Sequence, residues 1–423
     1  MPSALVSPAP RSLPTQAAAD FWDHAFAETD GFTRPAVLSL RQFGGTLFEV
    51  DELLELGSAM LAARDVGVNA DGKLLREAEL PERPPRTAAE FESFLGDLAS
   101  LNGADSITYT RDYCLKYSNT VAMTVRAFMD GYVDRTGLPM PGINAVYIAG
   151  RYRATWIGLH NDFCSTFLVP VHGRKHMMFW EPEYLENAPH EKRPALNGVC
   201  YGHVDVSPYE PDALVLHAEP GEVLFIPERW WHYNFLPQAE SSLALSIGVF
   251  RNGTVADSAD AAIQTVLSMP GAQRQAQPYD RTPAGVVEDL AAVPLPEDLE
   301  QLVEAIRAAL KVGIITTSTS NGVIAGSGPI RPEVPITDET VLAGKANARV
   351  VLINVGGSGL LVALGKVVRV SEYQALSSLV RRLASTDAFR LRECVAEGDD
   401  PSEAQKWASW LYVRGAADIV PDR

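Results

Sequence analysis

Residues 142–250 consist of short β-rich runs separated by glycine and proline turns, and this pattern constrains the fold more than any other feature of the chain. The runs are residues 145–148, 166–169, 176–180, 213–216, 223–226 and 243–250. Short strands at this density are typical of an antiparallel barrel or jelly roll. The sequence therefore predicts a fold that is mainly β with α.

Changes in sequence texture predict four segments along the chain. They are a disordered tail (1–18), a barrel domain with an N-terminal α/β elaboration (19–253), a helical segment with a linker (254–338) and a small C-terminal α/β domain (339–423). An apolar stripe in the helical segment, from Leu299 to Leu310, fits a core face or a homodimer seam equally well. Residues 316–335 are rich in Thr, Ser, Gly and Pro, which predicts a flexible connection.

The overall charge argues against several classes of partner. The 423 residues carry a net charge of −17, which repels phosphate backbones and anionic lipid and so disfavours nucleic acid and membrane surfaces as partners. The most apolar uncharged run, residues 350–365, is centred on Gly-Gly-Ser-Gly, which predicts a β-hairpin and no membrane span. The four cysteines are far apart and form no CxxC pair, as expected in a reducing cytoplasm.

Two motifs in the barrel region predict a metal site. His160 and Asp162 are two positions apart, so in a strand their side chains share one face. Residues 220–232, PGEVLFIPERWWH, predict a turn, a buried strand and a second turn that delivers His232. Two imidazoles and one carboxylate form the facial triad of non-haem Fe(II) oxygenases. The competing interpretation is that each histidine is an ordinary barrel residue, but the joint occurrence of both motifs in this order favours the triad.

Residues 142–253 resemble the JmjC/cupin-type 2-oxoglutarate-dependent oxygenases, in particular bacterial cupin-like hydroxylases. The resemblance lies in HND at 160–162, GRKHMMFWEP at 173–182 and PGEVLFIPERWWH at 220–232. It implies a double-stranded β-helix (jelly-roll/cupin) core and a reaction that uses Fe(II), 2-oxoglutarate and O2. Lys175 would anchor the far carboxylate of 2-oxoglutarate, with Thr166 and Tyr113 as further cosubstrate contacts. Alternation along the strand predicts that Lys175 faces inward while Arg174 faces outward.

This chain departs from the family pattern at two positions. Ile157 stands where relatives commonly have Thr or Ser, so Thr155 is the candidate replacement. Gly248 falls where many relatives have a late-strand asparagine, which leaves Ser246 as a substitute.

The segments that follow the barrel resemble, in layout, the ribosomal-oxygenase subgroup. That subgroup has a dimerising helical segment and a C-terminal winged helix, which implies a winged-helix-like domain at 339–423 and a homodimer. Residues 345–423 contain 11 basic and 9 acidic residues, too weak an excess for a DNA reader.

The expected function is Fe(II)/2-oxoglutarate-dependent hydroxylation of an amino-acid side chain in a protein or peptide, with release of succinate and CO2. Two alternatives stay open: the same chemistry on a small molecule or biosynthetic intermediate, and a cupin-like binding module without catalysis. An RNA substrate is disfavoured by the charge.

Overall fold

A computed structural model describes most of the chain. The described residues are 15–43, 45–195, 198–251, 253–268, 295–324, 331, 333–345, 348–355, 358–371, 373–385, 387–395 and 401–420. The chain divides into two units. The first comprises residues 1–252, 320–335 and 409–415, and the second comprises residues 253–319, 336–408 and 416–423.

The α-helices flank the barrel along the chain. They are α1 (Thr15–Glu28), α2 (Val50–Ala62), α3 (Ala88–Leu101), α4 (Asn119–Thr136), α5 (Val255–Leu267), α6 (Glu297–Thr319), α7 (Tyr373–Ala384) and α8 (Ser402–Val413). The Thr87 side chain caps α3 by accepting a hydrogen bond from the Glu90 backbone N–H. No described helix is both long enough and apolar enough to cross a membrane.

The strands before and within the barrel are short, with two exceptions. They are β1 (Ala36–Ser39), β2 (Gly67–Ala70), β3 (Lys73–Leu74), β4 (Ile107–Arg111), β5 (Gly142–Ala154), β6 (Leu159–Asp162), β7 (Ser165–His172), β8 (Lys175–Trp180), β9 (Arg193–Ala195), β10 (Gly198–Gly202), β11 (Leu214–Ala218), β12 (Glu222–Ile226) and β13 (Trp231–Phe250). The exceptions are β5, with 13 residues, and β13, with 20. Each predicted β-rich run lies on one of these strands.

The long strand β13 connects two walls of a barrel. Its first part, Trp231 to Phe235, pairs antiparallel with β8, and its last part, Glu240 to Phe250, pairs with β5. The major wall has the strand order β1-β12-β7-β13-β5-β4-β2-β3, and β6, β8, β10 and β11 complete the opposite wall. This antiparallel topology confirms the predicted jelly-roll core.

The two faces of the major wall have different environments because successive side chains alternate across a strand. On the outer face, Tyr147, Phe167 and Leu245 are buried in an apolar core with residues from the four N-terminal helices. The opposite face of the same strands carries Ile148, Leu168 and other residues that line a cavity. The N-terminal helices therefore cover the outer face of the barrel wall, and the inner face lines the cavity.

The second unit contains two three-stranded sheets. One has the order β18-β14-β19, and the other is the meander β15-β16-β17. The strands are β14 (Val341–Gly344), β15 (Val350–Val355), β16 (Ser358–Ala363), β17 (Lys366–Val370), β18 (Phe389–Arg390) and β19 (Ala417–Ile419). The predicted hairpin within residues 350–365 is thus confirmed as β15 and β16, whose turn residues 356 and 357 lie outside the described residues. The winged-helix-like character of this unit stays a prediction.

Two predicted irregular segments are partly helical. α1 begins at Thr15, inside the predicted 1–18 tail, because Phe21 and Trp22 are buried and the helix continues one turn before them; residues 1–14 lie outside the described residues. In the predicted 316–335 connection, α6 continues to Thr319, and the Thr316 and Thr317 hydroxyls donate to carbonyls one turn back. Residues 325–330 and 332 of that segment lie outside the described residues.

Candidate metal centre and its cavity

Two neighbouring strands bring the predicted metal ligands together. His160 and Asp162 lie on β6, and His232 on β13 is paired directly with His160. The centroids of the two imidazole rings are 4.0 Å apart. The chain therefore returns to the same point of the barrel after the 70 positions that separate Asp162 from His232.

Backbone carbonyl groups fix the orientation of both imidazoles. His160 Nδ1 lies 2.9 Å from the Gly158 carbonyl oxygen, and His232 Nδ1 lies 2.9 Å from the Trp230 carbonyl oxygen. Because a carbonyl only accepts, each Nδ1 carries the proton and donates it. In the neutral imidazole, each Nε2 then has a lone pair that can bind a metal. Each ring is held by a hydrogen bond through its other nitrogen, as is usual in metal sites.

Close backbone packing on both sides of the ligands sets their positions. Gly158 has φ +70°, and a Cβ there would lie 2.1 Å from the Gly202 carbonyl oxygen, so only glycine permits this approach to the start of β6. At the other end of β6, the Arg229 backbone N–H donates to the Asp162 carbonyl oxygen at 2.8 Å. Arg229 itself has φ +68°, so the turn before His232 is tied to the strand that carries the other two ligands.

The three ligand side chains converge on one point. One donor atom from each of His160, Asp162 and His232 lies within 4.8 Å of the other two, and His232 Nε2 lies 3.8 Å from Asp162 Oδ2. Burial lowers the pKa of His232 well below its ordinary value, and the neighbouring His160 lowers it further. Burial raises the pKa of Asp162, although His160 counteracts this effect. The lowered pKa favours the neutral form of His232, which is the form that binds metals. Among the described residues, no Lys or Arg forms an ion pair with Asp162.

The donor set fits Fe(II). Two imidazole nitrogens and one carboxylate oxygen match the ligands of non-haem iron sites and leave coordination positions open for other molecules. Sulfur is absent from the described donor cluster, which argues against a structural zinc site of the usual cysteine-rich kind. A cation between these three groups would also neutralise the half-buried Asp162 carboxylate, whose ionised form is costly without one.

A cavity of about 170 Å³ opens beside the candidate ligands. It is lined on one side by apolar side chains, among them Ile148, Leu168, Met177 and Ile226. A single water needs about 10–15 Å³ on the same measure, so the cavity has room for a small organic molecule next to the metal site. Its position inside a barrel between the two walls is a common place for ligand sites.

Lys175 is fully buried on the interior face of β8. Its Nζ donates to the Tyr152 hydroxyl at 2.6 Å and to Ser242 Oγ at 2.9 Å. Among the described residues, no carboxylate lies within ion-pairing distance of Nζ. By contrast, the Arg174 side chain is 60% exposed and lies 3.5 Å from Glu219, so the two neighbouring cations point to opposite faces, as strand alternation predicts.

Lys175 lies deeper in the barrel than the cavity wall. Met177, two residues along β8 and therefore on the same face, lines the cavity, whereas Lys175 does not reach its described surface. The Met177 side chain is unbranched and adapts easily to a neighbouring group.

Several polar atoms at the cavity wall have no partner among the described residues. Thr155 Oγ1 and Asn234 Oδ1 are buried and without a hydrogen bond, and both residues line the cavity. Buried polar atoms in native proteins are usually paired with protein or water. These two atoms therefore indicate contact with a bound molecule or with ordered water.

The predicted cosubstrate residues differ in position. Thr166 is buried on β7 and lines the cavity, as do Thr155, Ile157 and Ser246. Tyr113 is not brought to the cavity: its side chain is 49% exposed, and its φ of +54° turns the chain after β4. The preceding residue, Asp112, lines the cavity, whereas Tyr113 is not among the lining residues, and a cosubstrate contact by Tyr113 stays a prediction.

Sequence reasoning missed the residues that surround Lys175 and those on the far cavity wall. Asn234 carried a usable signal, because it lies two positions after His232 and must share its face. Tyr152 and Ser242 carried none, since they become neighbours of Lys175 only through the register of β5 and β13, in which Ser242 pairs with Gly150.

Residues 146–235 match the family model of the cupin-like domain. This region contains both motifs of the metal site and the strands β6 to β12 that surround it. This part of the chain is similar to the cupin-like domain. The resemblance proposed from the motifs is confirmed at the level of that domain.

Solved structures of the ribosomal oxygenase YcfD from Escherichia coli are similar to this chain along most of its length. The X-ray structure of YcfD is 19% identical with a TM-score of 0.48, and the complex with cobalt and succinic acid is 18% identical with a TM-score of 0.48. The complex with cobalt and 2-oxoglutarate is 18% identical with a TM-score of 0.46. Each match covers 94% of this chain and 98% of YcfD. Similarities of this size assign neither an activity nor a substrate. A search of curated proteins gives no significant match.

Proposed function

We propose that this protein is an Fe(II)/2-oxoglutarate-dependent dioxygenase that hydroxylates an amino-acid side chain in a protein or peptide. The observation that carries the proposal is the combination, inside one barrel, of a two-histidine, one-carboxylate cluster with a fully buried lysine that has only hydroxyl partners in the described structure. Each half matches one part of the same cosubstrate chemistry, and neither has an equally direct structural explanation.

The cluster supplies the metal ligands. His160 and His232 would bind through Nε2, because each Nδ1 is engaged with a backbone carbonyl. Asp162 would complete the triad and neutralise one of the two metal charges. When bound, iron, 2-oxoglutarate and O2 together supply an oxidation that hydroxylates a C–H bond and yields succinate and CO2.

Lys175 supplies the charge that a dicarboxylic cosubstrate requires. An isolated ammonium group in an apolar interior is costly, and a carboxylate beside it removes most of that cost. Tyr152 and Ser242 hold Nζ from two sides, so the cation is oriented before the cosubstrate arrives. The apolar wall of Leu168, Met177 and Ile226 excludes water from the reacting centre.

The proposal is tested by anaerobic addition of Fe(II) and 2-oxoglutarate to the purified protein, followed by exposure to O2. We expect a weak visible absorption band on addition of 2-oxoglutarate and formation of succinate in the presence of O2. A mass-spectrometric search for the gain of one oxygen atom among candidate peptides would then identify the substrate. A folded protein that gives neither the band nor succinate is a binding module, which is the alternative from a different functional class.

A small-molecule substrate is the second candidate within the same chemistry. It agrees with the size of the cavity, because a space of about 170 Å³ holds a small metabolite as readily as one side chain of a peptide. The same mass search with small-molecule pools distinguishes the two.

A further inference from the structure

One wall of the cavity is formed by residues that precede the cupin-like match. Thr108 and Thr110 lie on β4, Asp112 follows that strand, and Asn144 lies on β5. All four line the cavity, and all lie before residue 146, where the family match begins. We call these four residues the β4–β5 wall. The match to the cupin-like domain therefore does not include these four residues.

Two buried polar atoms of the wall have no hydrogen-bond partner among the described residues. Asn144 is 2% exposed, and its Nδ2 donates to Asp112 Oδ1 at 2.5 Å. Because a carboxylate only accepts, this bond fixes the amide orientation and makes the unpartnered Oδ1 an acceptor. Thr108, which is 3% exposed, has an unpartnered Oγ1. Such atoms at a cavity wall indicate that a ligand completes their hydrogen bonds.

The Asp112 carboxylate has no cationic partner among the described residues. Its Oδ1 accepts from Asn144 and from the Tyr113 backbone N–H at 3.0 Å, and no described contact involves Oδ2. Arg111 precedes it directly, but that guanidinium lies 2.9 Å from Asp65, which Lys116 also contacts at 2.9 Å. The nearby cations are therefore already paired with another carboxylate.

A count of the charges in the site with Fe(II) and 2-oxoglutarate bound also leaves Asp112 without a positively charged counterpart. With the proposed contents, the two charges of Fe(II) and the charge of Lys175 are matched by Asp162 and the two carboxylates of 2-oxoglutarate. Among the described lining residues, the Asp112 carboxylate is then the charge without a counterpart. A buried or half-buried charge without a counterpart favours a ligand that brings one.

We propose that the β4–β5 wall is the substrate-recognition surface and that the substrate presents to it a cationic group with N–H donors, a protonated amine or a guanidinium. Asp112 supplies the charge, while Asn144 Oδ1 and Thr108 Oγ1 accept further N–H bonds. This inference rests on the proposed oxygenase function for the identity of the other cavity contents. It places substrate selection on residues that precede the cupin-like match and iron binding on residues within that match.

The test compares two probes of nearly equal shape, N-propylguanidinium and N-propylurea, which differ in charge. Each is titrated by calorimetry into the full-length protein loaded anaerobically with Fe(II) and 2-oxoglutarate. The wild-type protein should bind the guanidinium at least about tenfold more tightly than the urea, the size expected for hydrogen bonds to a charged group. Asp112→Asn should remove this preference while keeping the acceptor for Asn144. Asp97→Asn, which changes an exposed carboxylate on α3 by the same charge, should keep it.

A second variant, Thr108→Val, tests the hydrogen bonds separately from the charge, and the 2-oxoglutarate absorption band tests the proposed function separately from the inference. Thr108→Val keeps side-chain shape and the Asp112 charge, so it should weaken both probes by a similar and smaller factor. The inference is overturned if wild-type protein binds neither probe or shows no preference, or if Asp112→Asn retains the preference. It is also overturned if Asp97→Asn loses the preference to the same extent, or if Asp112→Asn loses 2-oxoglutarate binding as well. Failure of the proposed function is separate, because wild-type protein would then lack the 2-oxoglutarate absorption band before any probe is added.

Discussion

The barrel interior has two polar ends that are built in different ways. At the metal end, His160 and His232 are each held by a carbonyl two residues earlier in the chain, so the backbone itself orients the ligands. At the deep end, Lys175 is held by hydroxyls from two other strands, β5 and β13. At the metal end, each imidazole is therefore oriented by neighbouring residues of its own segment, and one pairing of β6 with β13 brings the ligands together. The deep end instead depends on the register of three strands.

This difference predicts how each end responds to substitution. Loss of a metal ligand should abolish catalysis, because the two remaining ligands cannot replace the third. Loss of a group at the deep end should weaken cosubstrate binding in proportion to the hydrogen bonds or charges that are removed. The following substitutions, from the largest expected effect to the smallest, test that contrast.

His232→Ala should lower Fe(II) affinity by at least about 100-fold and abolish succinate formation, because even a residue that only supports a metal ligand contributes about 10–100-fold. His217→Ala, on the exposed side of β11, is the matched control and should bind iron normally. Iron content after gel filtration and succinate formation are the measurements. Normal iron content in the His232 variant would contradict the triad.

Lys175→Met should weaken 2-oxoglutarate binding by roughly 30-fold or more, because removal of one partner from a desolvated charge pair costs about 2–5 kcal/mol. Iron affinity should stay near normal. In the absence of ligand, the same variant should have a higher free energy of unfolding, since an apolar side chain replaces a buried cation that no described carboxylate neutralises. Titration of 2-oxoglutarate and denaturant unfolding measure the two opposite effects.

Arg174→Met is the control for Lys175→Met, because its side chain is exposed on the opposite face. It should change neither 2-oxoglutarate affinity nor stability by more than about 1 kcal/mol. A large loss of cosubstrate affinity in this variant, with a small one in Lys175→Met, would show that the cosubstrate lies outside the barrel interior.

Ser242→Ala should weaken 2-oxoglutarate binding by about 2–10-fold, since it removes one of the two hydroxyls that orient Nζ and leaves the charge in place. Ser241→Ala is its neighbour on the other face of β13, where Ser241 donates to Glu92, and should leave cosubstrate affinity unchanged. Equal effects of the two substitutions would contradict the assignment of faces along β13.

Glu92→Gln should have the smallest effect, confined to stability and its pH dependence. Burial raises the pKa of Glu92, but hydrogen bonds from Ser241 and His172 outweigh it, so the net pKa lies below the ordinary 4.5. A lowered carboxyl pKa stabilises the folded state above pH 4.5, and this contribution is lost as the pH falls through the lowered value. The variant should therefore be less stable than wild type by up to about 1 kcal/mol at neutral pH. The difference in unfolding free energy should shrink below pH 4.5, while 2-oxoglutarate affinity at neutral pH stays constant.

The contrast between the two ends also explains what could be predicted from the sequence. His160 and Asp162 share a face by strand alternation, and the turn before His232 is marked by proline and two tryptophans. Local sequence patterns are therefore enough to predict the three candidate metal ligands. The inward direction of Lys175 follows from the same alternation. Its partners Tyr152 and Ser242 do not, because they depend on pairing between residues 90 positions apart.

Tyr113 shows the opposite limit. The family resemblance implies a cosubstrate contact for Tyr113, but β4 ends at Arg111 and the chain turns at Tyr113, so Asp112 is the residue that lines the cavity. A shift of one residue along a strand reverses which side chains face the interior. The bounds of elements, rather than their existence, limited the prediction in this region.

The central claim, that one barrel holds iron at one end and the far carboxylate of 2-oxoglutarate at the other, is tested most directly by an anaerobic titration. 2-Oxoglutarate is added to Fe(II)-loaded wild-type protein and to Fe(II)-loaded Lys175→Met, and the visible absorption band is followed. The account predicts a saturating band in both proteins, with the half-saturating concentration raised roughly 30-fold or more in the variant. Absence of the band in iron-loaded wild-type protein, or saturation at the same concentration in both, would contradict it.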